Sequence, residues 1–385
     1  MQRALVVGAG VYGLAAAREL HARGWGVTLV EPGPIPRPEA SSTDRSKVIR
    51  ADYGADDFLS GLAAESLERW RLWNATLFSR PLYHETGFLL LSRGPMEPGG
   101  FEADSLACLE RHGARVMRID ADDLARLFPA WNTDVYRAGY VSRDGGWAES
   151  GEVVRQLAAR ALTEGVAMVA GRVTRIESTS PPSIVLEDGR ELEADAVVVA
   201  AGAWTPGLMP DLAASLKPVA IPVVLLRPHD PAPYRAERFP AWGADIARTG
   251  RYGFPVGDDG IVKIGYHGQG SAGDPEAPED VPALAVERCR AFLRESIPSL
   301  ADAPLAGTRH CFYCDAMDGD FWITRHPDME GVVVSSGGSG HGFKFAPVLG
   351  ELAANAVEGV QDQRLERFRW RSGARPGREA ARYDG

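Results

Sequence analysis

Two kinds of apolar pattern alternate along the chain. Residues 4–7, 27–30, 195–200 and 331–334 are runs apolar but for Thr28 and the leading Asp195, the texture of parallel strands covered on both faces. Between the first two lies an alanine-rich stretch that predicts a helix, so the chain opens as strand, helix, strand. Residues 58–78 repeat Leu59, Leu62, Leu67, Trp70, Trp73 and Leu77 near helical spacing and predict a helix packing one face. The texture then changes: short strand-like runs at 87–92 and 139–142 are separated by helical stretches at 106–112 and 121–127, which reads as an inserted second domain. A helix over 149–164 and strand texture over 166–176 return to the first pattern. Residues 218–228 are rich in Val, Ile and Leu, and 252–266 read as a hairpin around Gly257-Asp258-Asp259-Gly260, both assigned to the second domain's sheet. The run at 331–334 enters a Gly-rich turn, followed by a helix at about 347–358. No useful internal repeat is visible, and the Arg-rich tail after Phe368 is expected to be loosely docked or disordered.

The opening unit carries Gly8-Ala9-Gly10-Val11-Tyr12-Gly13 between strand and helix, with Glu31 ending the second strand. The three glycines serve different ends. Gly8 allows the tight turn, Gly10 a close approach to a pyrophosphate, and Gly13 close packing of helix on strand. The helix N-terminus offers free N–H groups to phosphates, and Glu31 can hold ribose hydroxyls. Strand, glycines, helix, strand and acid fall in order, so a dinucleotide is expected here.

Composition narrows the function classes. The chain has 385 residues, 45% hydrophobic and 24% charged, ordinary values for a globular protein of two or three domains. A formal charge of −10 argues against a nucleic-acid partner. No apolar run is long enough to span a membrane, and the glycine unit follows the first Met closely, so a cytoplasmic protein with no membrane partner is expected. The cysteines, Cys108, Cys289, Cys311 and Cys314, are too few for a disulfide scaffold.

Several residues are candidates for chemistry. Cys311-x-x-Cys314 suggests half a zinc site or a redox dithiol, but two further metal ligands are missing and the pair lies in a β-like stretch rather than opening a helix. No metal is expected, and a buried thiol stays open as the plain alternative. Lys263 interrupts an apolar strand and shares a face with Ile261 and Gly265, so its head points to solvent or into a cavity. Arg50 and Lys344 are candidate carboxylate binders, the first as a planar fork and the second as a point charge; surface cations are the alternative. Gly337-Gly338-Ser339-Gly340 is either a flexible connection or a cradle of backbone N–H groups. Residues 234–249 are expected to form part of a pocket lid, with Phe239 and Trp242 as an apolar wall.

Together, the N-terminal glycine unit with Glu31, Arg309-His310-Cys311-Phe312-Tyr313 and Gly340-His341-Gly342-Phe343-Lys344-Phe345 resemble the monomeric sarcosine oxidase and fructosyl amino acid oxidase group of D-amino-acid-oxidase-like flavoproteins. Gly202-Ala203-Trp204, Tyr252-Gly253-Phe254-Pro255 and Lys263-Ile264-Gly265-Tyr266-His267 fall in the family's order, so the resemblance covers almost the whole chain. It implies an α/β fold with a discontinuous Rossmann-type FAD-binding domain over 1–80, 148–215 and 311–385, and a second α+β substrate domain, on a mainly antiparallel sheet, over 81–147 and 216–310. It implies FAD bound covalently through Cys311 as an 8α-S-cysteinyl thioether. The implied cofactor contacts are Gly8, Gly10, Val11, Gly13, Glu31, Lys47, Val173, Gly202, Trp204, Cys311, Gly338, Gly340, Gly342 and Lys344. The implied catalytic set is Lys263 for dioxygen, Arg50 and Lys344 for the substrate carboxylate, Tyr252 and Tyr313 lining the cavity, and His267 beside the flavin. Lys47 departs from the sarcosine oxidases, which carry arginine there, and leaves substrate identity open. The implied activity is oxidation of a secondary amino acid, N-alkyl, N-glycated or cyclic, by a monomer that reduces O2 to H2O2. A dehydrogenase with another electron acceptor, a glycine-type oxidase and a non-catalytic scaffold remain as alternatives.

Overall fold

A computed structural model describes residues 1–371 and 379–383 of the chain. Its first sheet has six strands in the order Trp322–Arg325, Val332–Ser336, Ala196–Val199, Arg3–Val7, Gly26–Glu31 and Ala167–Ala170. All neighbours are parallel except the antiparallel edge strand Trp322–Arg325. Period-two alternation divides the core. Ala4, Val6, Val198 and Val333 pack with Leu14, Val348 and Leu352 from the helices, while Leu5, Val7, Val197 and Val332 pack with Ile176, Ile184 and Leu186 of a three-stranded antiparallel sheet on the other face. The apolar runs are therefore strands covered on both faces, as their texture predicts.

Helix Val11–Ala22 has no side-chain cap and starts at Gly10. It packs closely against helix Ala346–Glu358, where a Cβ at Gly350 would lie 2.7 Å from the Ala15 carbonyl oxygen, so only glycine allows that approach. Helix Asp57–Thr76 is capped by Asp56, whose side chain accepts from the Leu59 N–H. Its buried Trp70 donates through Nε1 to the Lys344 carbonyl at 2.7 Å, which fixes the turn carrying Lys344.

The second sheet has nine strands, antiparallel except where Ala241–Ala244 runs parallel to Phe88–Ser92. One face packs on helix Ala283–Ser296 through Val262, Ile264, Leu293 and Ile297. Alternation along Val262–Tyr266 therefore sends Lys263 to the opposite face, toward Asp44 and Ser46. The longest pairing joins Leu216–Leu226 to Leu305–Ala316, with Cys311 opposite Ile221 and Tyr313 opposite Val219. Leu216, Cys314 and Ala316 pack with the first sheet's core, so this strand pair carries Cys311 and Tyr313 to the junction. A small antiparallel sheet of Lys47–Ile49, Gly146–Ala148 and Tyr83–His84 holds Lys47.

Two expectations need correction. Phe239 and Trp242 do not wall a pocket: both are fully buried in the second sheet's core against Trp131, with Trp242 stacked on Phe292. Burying their large apolar surface outweighs exposing it at a pocket wall; from that segment Ile246 lines a cavity. The tail is also not loose throughout, because Glu379 and Ala381 are buried. Residues 372–378 and 384–385 lie outside the described residues.

Candidate active site

The strand-to-helix turn at Gly8 to Gly13 is built for close approach. Gly8 sits at φ +102°, and a Cβ on Gly13 would lie 1.9 Å from the Gly8 carbonyl oxygen. Glu31 Oε2 accepts from the Ala9 N–H at 2.8 Å, and Ser42 Oγ accepts from the Val11 N–H at 3.3 Å. Burial pushes the Glu31 carboxyl up against the opposing pull of the Ala9 and Gly33 N–H groups. From this turn a cavity of about 390 Å³ runs past Glu31, Val173, Gly202 and Trp204 to Lys47, Tyr313 and the turn bearing Gly338, Gly340 and Gly342. At its rim Glu276 pairs with Arg37 and Arg172, and the Arg37 guanidinium lies 4.3 Å from the Trp204 ring centre. Those partners hold the Glu276 carboxyl down at about 2, the bond from Arg172 contributing most. An elongated groove that opens on a helix N-terminus and is cradled by glycines fits a dinucleotide.

The far end of this cavity adjoins a smaller one, of about 50 Å³. Lys47, Tyr313, Gly340 and Phe343 line both. Gly340 is at φ +75°, and a Cβ there would strike the Tyr313 ring at 2.1 Å, so only glycine lets the turn meet that tyrosine. Arg50, Lys344, His267 and Tyr252 line the smaller cavity, and Arg50, His267 and Lys344 are 5%, 4% and 5% exposed. Lys344 Nζ donates to Tyr53 Oη at 2.9 Å and to the His341 carbonyl at 2.8 Å. Burial, then Arg50, pushes its ammonium well below the usual lysine range. Burial raises Tyr252 to about 12 and lowers His341 to about 3.

Behind the shared wall lies a charged cluster. Lys263 Nζ donates to Asp44 Oδ2 at 2.5 Å and to the Ser46 carbonyl at 2.6 Å. Lys47 Nζ lies 3.2 Å from the same carboxylate and donates to Cys311 Sγ at 3.3 Å. Burial opposes ionisation of Asp44, but Lys263, Lys47 and Arg309 outweigh it and hold the carboxyl well below its usual range. Burial lowers Lys263 to about 8 despite Asp44. Neither Lys263 nor Cys311 is in the wall of either cavity. Cys311 is buried with Ile221, Val223 and Tyr313, whereas Cys314 packs with the first sheet's core and lines the large cavity. The two thiols thus serve different surroundings, and among the described residues no group of three or more His, Cys, Asp or Glu could hold a metal ion.

Of the sequence-derived residues, Gly8, Gly10, Val11, Glu31, Lys47, Val173, Gly202, Trp204, Gly338, Gly340 and Gly342 line the large cavity, with Gly13 beneath the turn. Tyr313 lines both cavities, and Arg50, Tyr252, His267 and Lys344 gather at the smaller one. Sequence reasoning misses two functional acids. Asp44 stands in a polar stretch, where its one signal is a place among Arg45 and Lys47. Glu379, which meets Arg50 at 3.0 Å and His267 at 2.9 Å, gives no signal in an Arg-rich tail.

The sequence profile of the FAD dependent oxidoreductase (DAO) family matches residues 3–356. The chain is 29% identical over 379 residues to monomeric sarcosine oxidase of Bacillus sp. (strain B-0618), covering 94% of each chain. It is 28% identical to N-methyl-L-tryptophan oxidase of Salmonella agona, covering 92% of this chain and 94% of the relative. Among solved structures, the fructosamine oxidase Amadoriase II of Aspergillus fumigatus superposes with a TM-score of 0.84 at 26% identity, covering 100% of this chain and 94% of the other.

Proposed function

Because this chain belongs to the FAD dependent oxidoreductase family, we propose that its two adjoining cavities hold FAD and a secondary amino acid, and that the amino acid is oxidised to an imine, with O2 as the electron acceptor. Its relatives include sarcosine and N-methyl-L-tryptophan oxidases, and a fructosamine oxidase shares its structure, so the chain is an FAD-dependent oxidase of the kind that acts on CH–NH donors. The observation that carries the site assignment is the shared wall: Lys47, Tyr313 and Gly340 face both the long groove and the small cavity. A dinucleotide laid from Gly10 to that wall brings its far end to the substrate.

The flavin supplies the two-electron chemistry, and the protein binds, orients and sets the charges. Glu31, Val173, Gly202 and Trp204 hold the nucleotide portion, and the Gly338 to Gly342 turn contacts the ring. Cys311 would carry the cofactor as a thioether; its buried thiol lies 3.3 Å from the ammonium of Lys47, which is in the wall of the large cavity, and this supports that role. In the smaller cavity Arg50 and Lys344 hold the substrate carboxylate, Tyr252 and Tyr313 flank the amine, and His267 stands beside it. Lys263 would supply a fixed positive charge that favours electron transfer to O2. The imine hydrolyses in water. We also propose the division into an FAD domain over 1–80, 148–215 and 311–385 and a substrate domain over the rest.

Two measurements test this reading. Purified protein is denatured in acid and the polypeptide is examined for retained yellow colour, then peroxide release is measured with sarcosine, other N-methyl amino acids, pipecolate, proline, glycated amino acids and glycine. Colour on the polypeptide and peroxide from a secondary amine are expected. A protein that takes up no flavin, or that reacts with glycine alone, overturns the reading.

A further inference from the structure

The described end of the chain is clasped over the smaller cavity's residues. The Tyr383 N–H donates to the His267 carbonyl at 3.0 Å, Arg382 pairs with Asp315 at 2.6 Å and donates to the Ser339 carbonyl at 3.1 Å, and Ala381 is fully buried. These anchors hold Glu379 with its side chain 2% exposed. One of its oxygens accepts from Arg50 Nη2 at 3.0 Å, and the other meets His267 Nε2 at 2.9 Å. Arg50 and His267 are in the wall of the cavity, while Glu379 is not. The other terminal nitrogen of Arg50, Nη1, is buried with no partner among the described residues.

This geometry decides the charge of the clamp. Lys47, Arg50 and Lys344 are the lysine and arginine cations in the wall of the smaller cavity; Lys47 is paired with Asp44, and Glu379 is the counter-ion of Arg50. A further buried acid, Asp52, accepts from Tyr140 Oη at 2.5 Å; burial pushes its carboxyl up against the pull of Arg50. Beyond these pairs a ligand meets one guanidinium nitrogen with no partner among the described residues and the Lys344 amine, with the fixed negative charge of Glu379 directly behind the guanidinium. Charges this close and this buried act on one another far more strongly than they would in water.

Building on the reading that Arg50 and Lys344 bind the substrate carboxylate, we propose that Glu379 is a specificity-determining residue: as the resident counter-ion of Arg50, it tunes the clamp to amines bearing one carboxylate and rejects those bearing two. A carboxylate only accepts, so it also keeps the proton of His267 on Nε2 and leaves Nδ1 as the ring's acceptor in the neutral form. The tail is in this sense part of the substrate site.

Calorimetric titration of the flavin-loaded protein with acetate and with malonate, at one pH and ionic strength, tests the proposal. The isosteric Glu379→Gln variant should bind both ligands more tightly, and its malonate-to-acetate affinity ratio should rise at least tenfold over the native ratio. Glu379→Asp keeps the charge and should stay near the native ratio, which packing loss alone would not produce. An unchanged ratio in Glu379→Gln overturns the proposal. If that variant does not fold, deletion of residues 379–385 removes the same charge, and the same ratio decides. Arg50→Gln separates this inference from the underlying reading. If Arg50→Gln leaves acetate binding intact, the clamp itself is wrong; if it weakens acetate while Glu379→Gln leaves the ratio unchanged, the clamp stands and the role of Glu379 falls.

Discussion

Lys263 Nζ lies 2.5 Å from Asp44 Oδ2, an ion pair in which the lysine side chain is 2% exposed and the aspartate 0%. The cation assigned to dioxygen is therefore not a free charge but one held by a carboxylate that it shares with Lys47. Breaking such a pair on one side leaves an uncompensated buried charge, which costs about 3–5 kcal/mol in stability. Holding the ammonium still is also what makes it useful, since a preorganised charge needs no rearrangement when the electron arrives.

Lys263→Met should slow reoxidation of the reduced protein by O2 by one or more orders of magnitude while leaving anaerobic reduction by substrate near native. Separate stopped-flow measurement of the two half-reactions checks this; equal slowing of both removes Lys263 from the oxygen step. Burial brings the lysine to about 8, and Asp44 opposes that fall. The charge-dependent part of native reoxidation should thus be present below pH 8 and decline as pH rises through about 8. Asp44→Asn removes the opposing influence, so its decline should begin at lower pH.

Arg50→Ala should raise KM for the amino acid with a smaller change in kcat, because a charge-assisted hydrogen bond is worth about 1.5–3 kcal/mol, roughly tenfold to a hundredfold. Lys344 adds a proton-linked signature. Its ammonium is pushed well below the lysine range by burial and by Arg50, and an incoming carboxylate favours the charged form. Carboxylate binding should take up protons, measured by calorimetry in buffers of different ionisation enthalpy, and Lys344→Met should abolish the uptake.

The parts of the molecule that repeat a local rule are legible in the sequence. Arg3–Val7, Ala196–Val199 and Val332–Ser336 announce themselves because strands covered on both faces must be apolar throughout. Gly8 and Gly13 do so because no other residue fits their surroundings. Alternation alone singles out Lys263 but leaves solvent or a cavity as its destination. The structure gives a third, a buried carboxylate 219 residues away in sequence. Partners at that separation leave no periodic trace, which is why Asp44 and Glu379 stay hidden. Phe239 and Trp242 mislead for the same reason, since a large aromatic residue suits a core and a pocket wall equally well until its neighbours are known.

Cys311→Ala should abolish covalent attachment and weaken flavin retention, read as loss of yellow colour from the acid-denatured polypeptide and of the flavin's mass from the intact protein. A flavin still tethered in this variant would move the linkage elsewhere. Cys314 provides the internal control. It lines the large cavity, yet burial raises its thiol to about 11 and its sulfur accepts from Ser336 Oγ at 3.5 Å. Cys314→Ala should keep the tether.

His341 lies 3% exposed, with Nδ1 3.1 Å from Tyr53 Oη and Nε2 3.0 Å from the Gly319 carbonyl. A carbonyl only accepts, so Nε2 carries the proton and Nδ1 accepts from the tyrosine, an arrangement that requires the neutral ring. Burial lowers its pKa from 6.5 to about 3. The unfolded chain therefore binds a proton that the folded chain refuses between those values, and stability falls as pH drops through that window, by about 1.4 kcal/mol per unit. Above about pH 6.5 the contribution is flat. Denaturant unfolding of the native protein and of His341→Gln at about pH 7 and about pH 5 should show the native protein losing about 2 kcal/mol more than the variant. The other buried groups are common to both proteins and cancel in that difference. Equal losses would mean that the imidazole is protonated in the fold, with Nε2 still donating to the Gly319 carbonyl and Nδ1 donating to Tyr53 Oη.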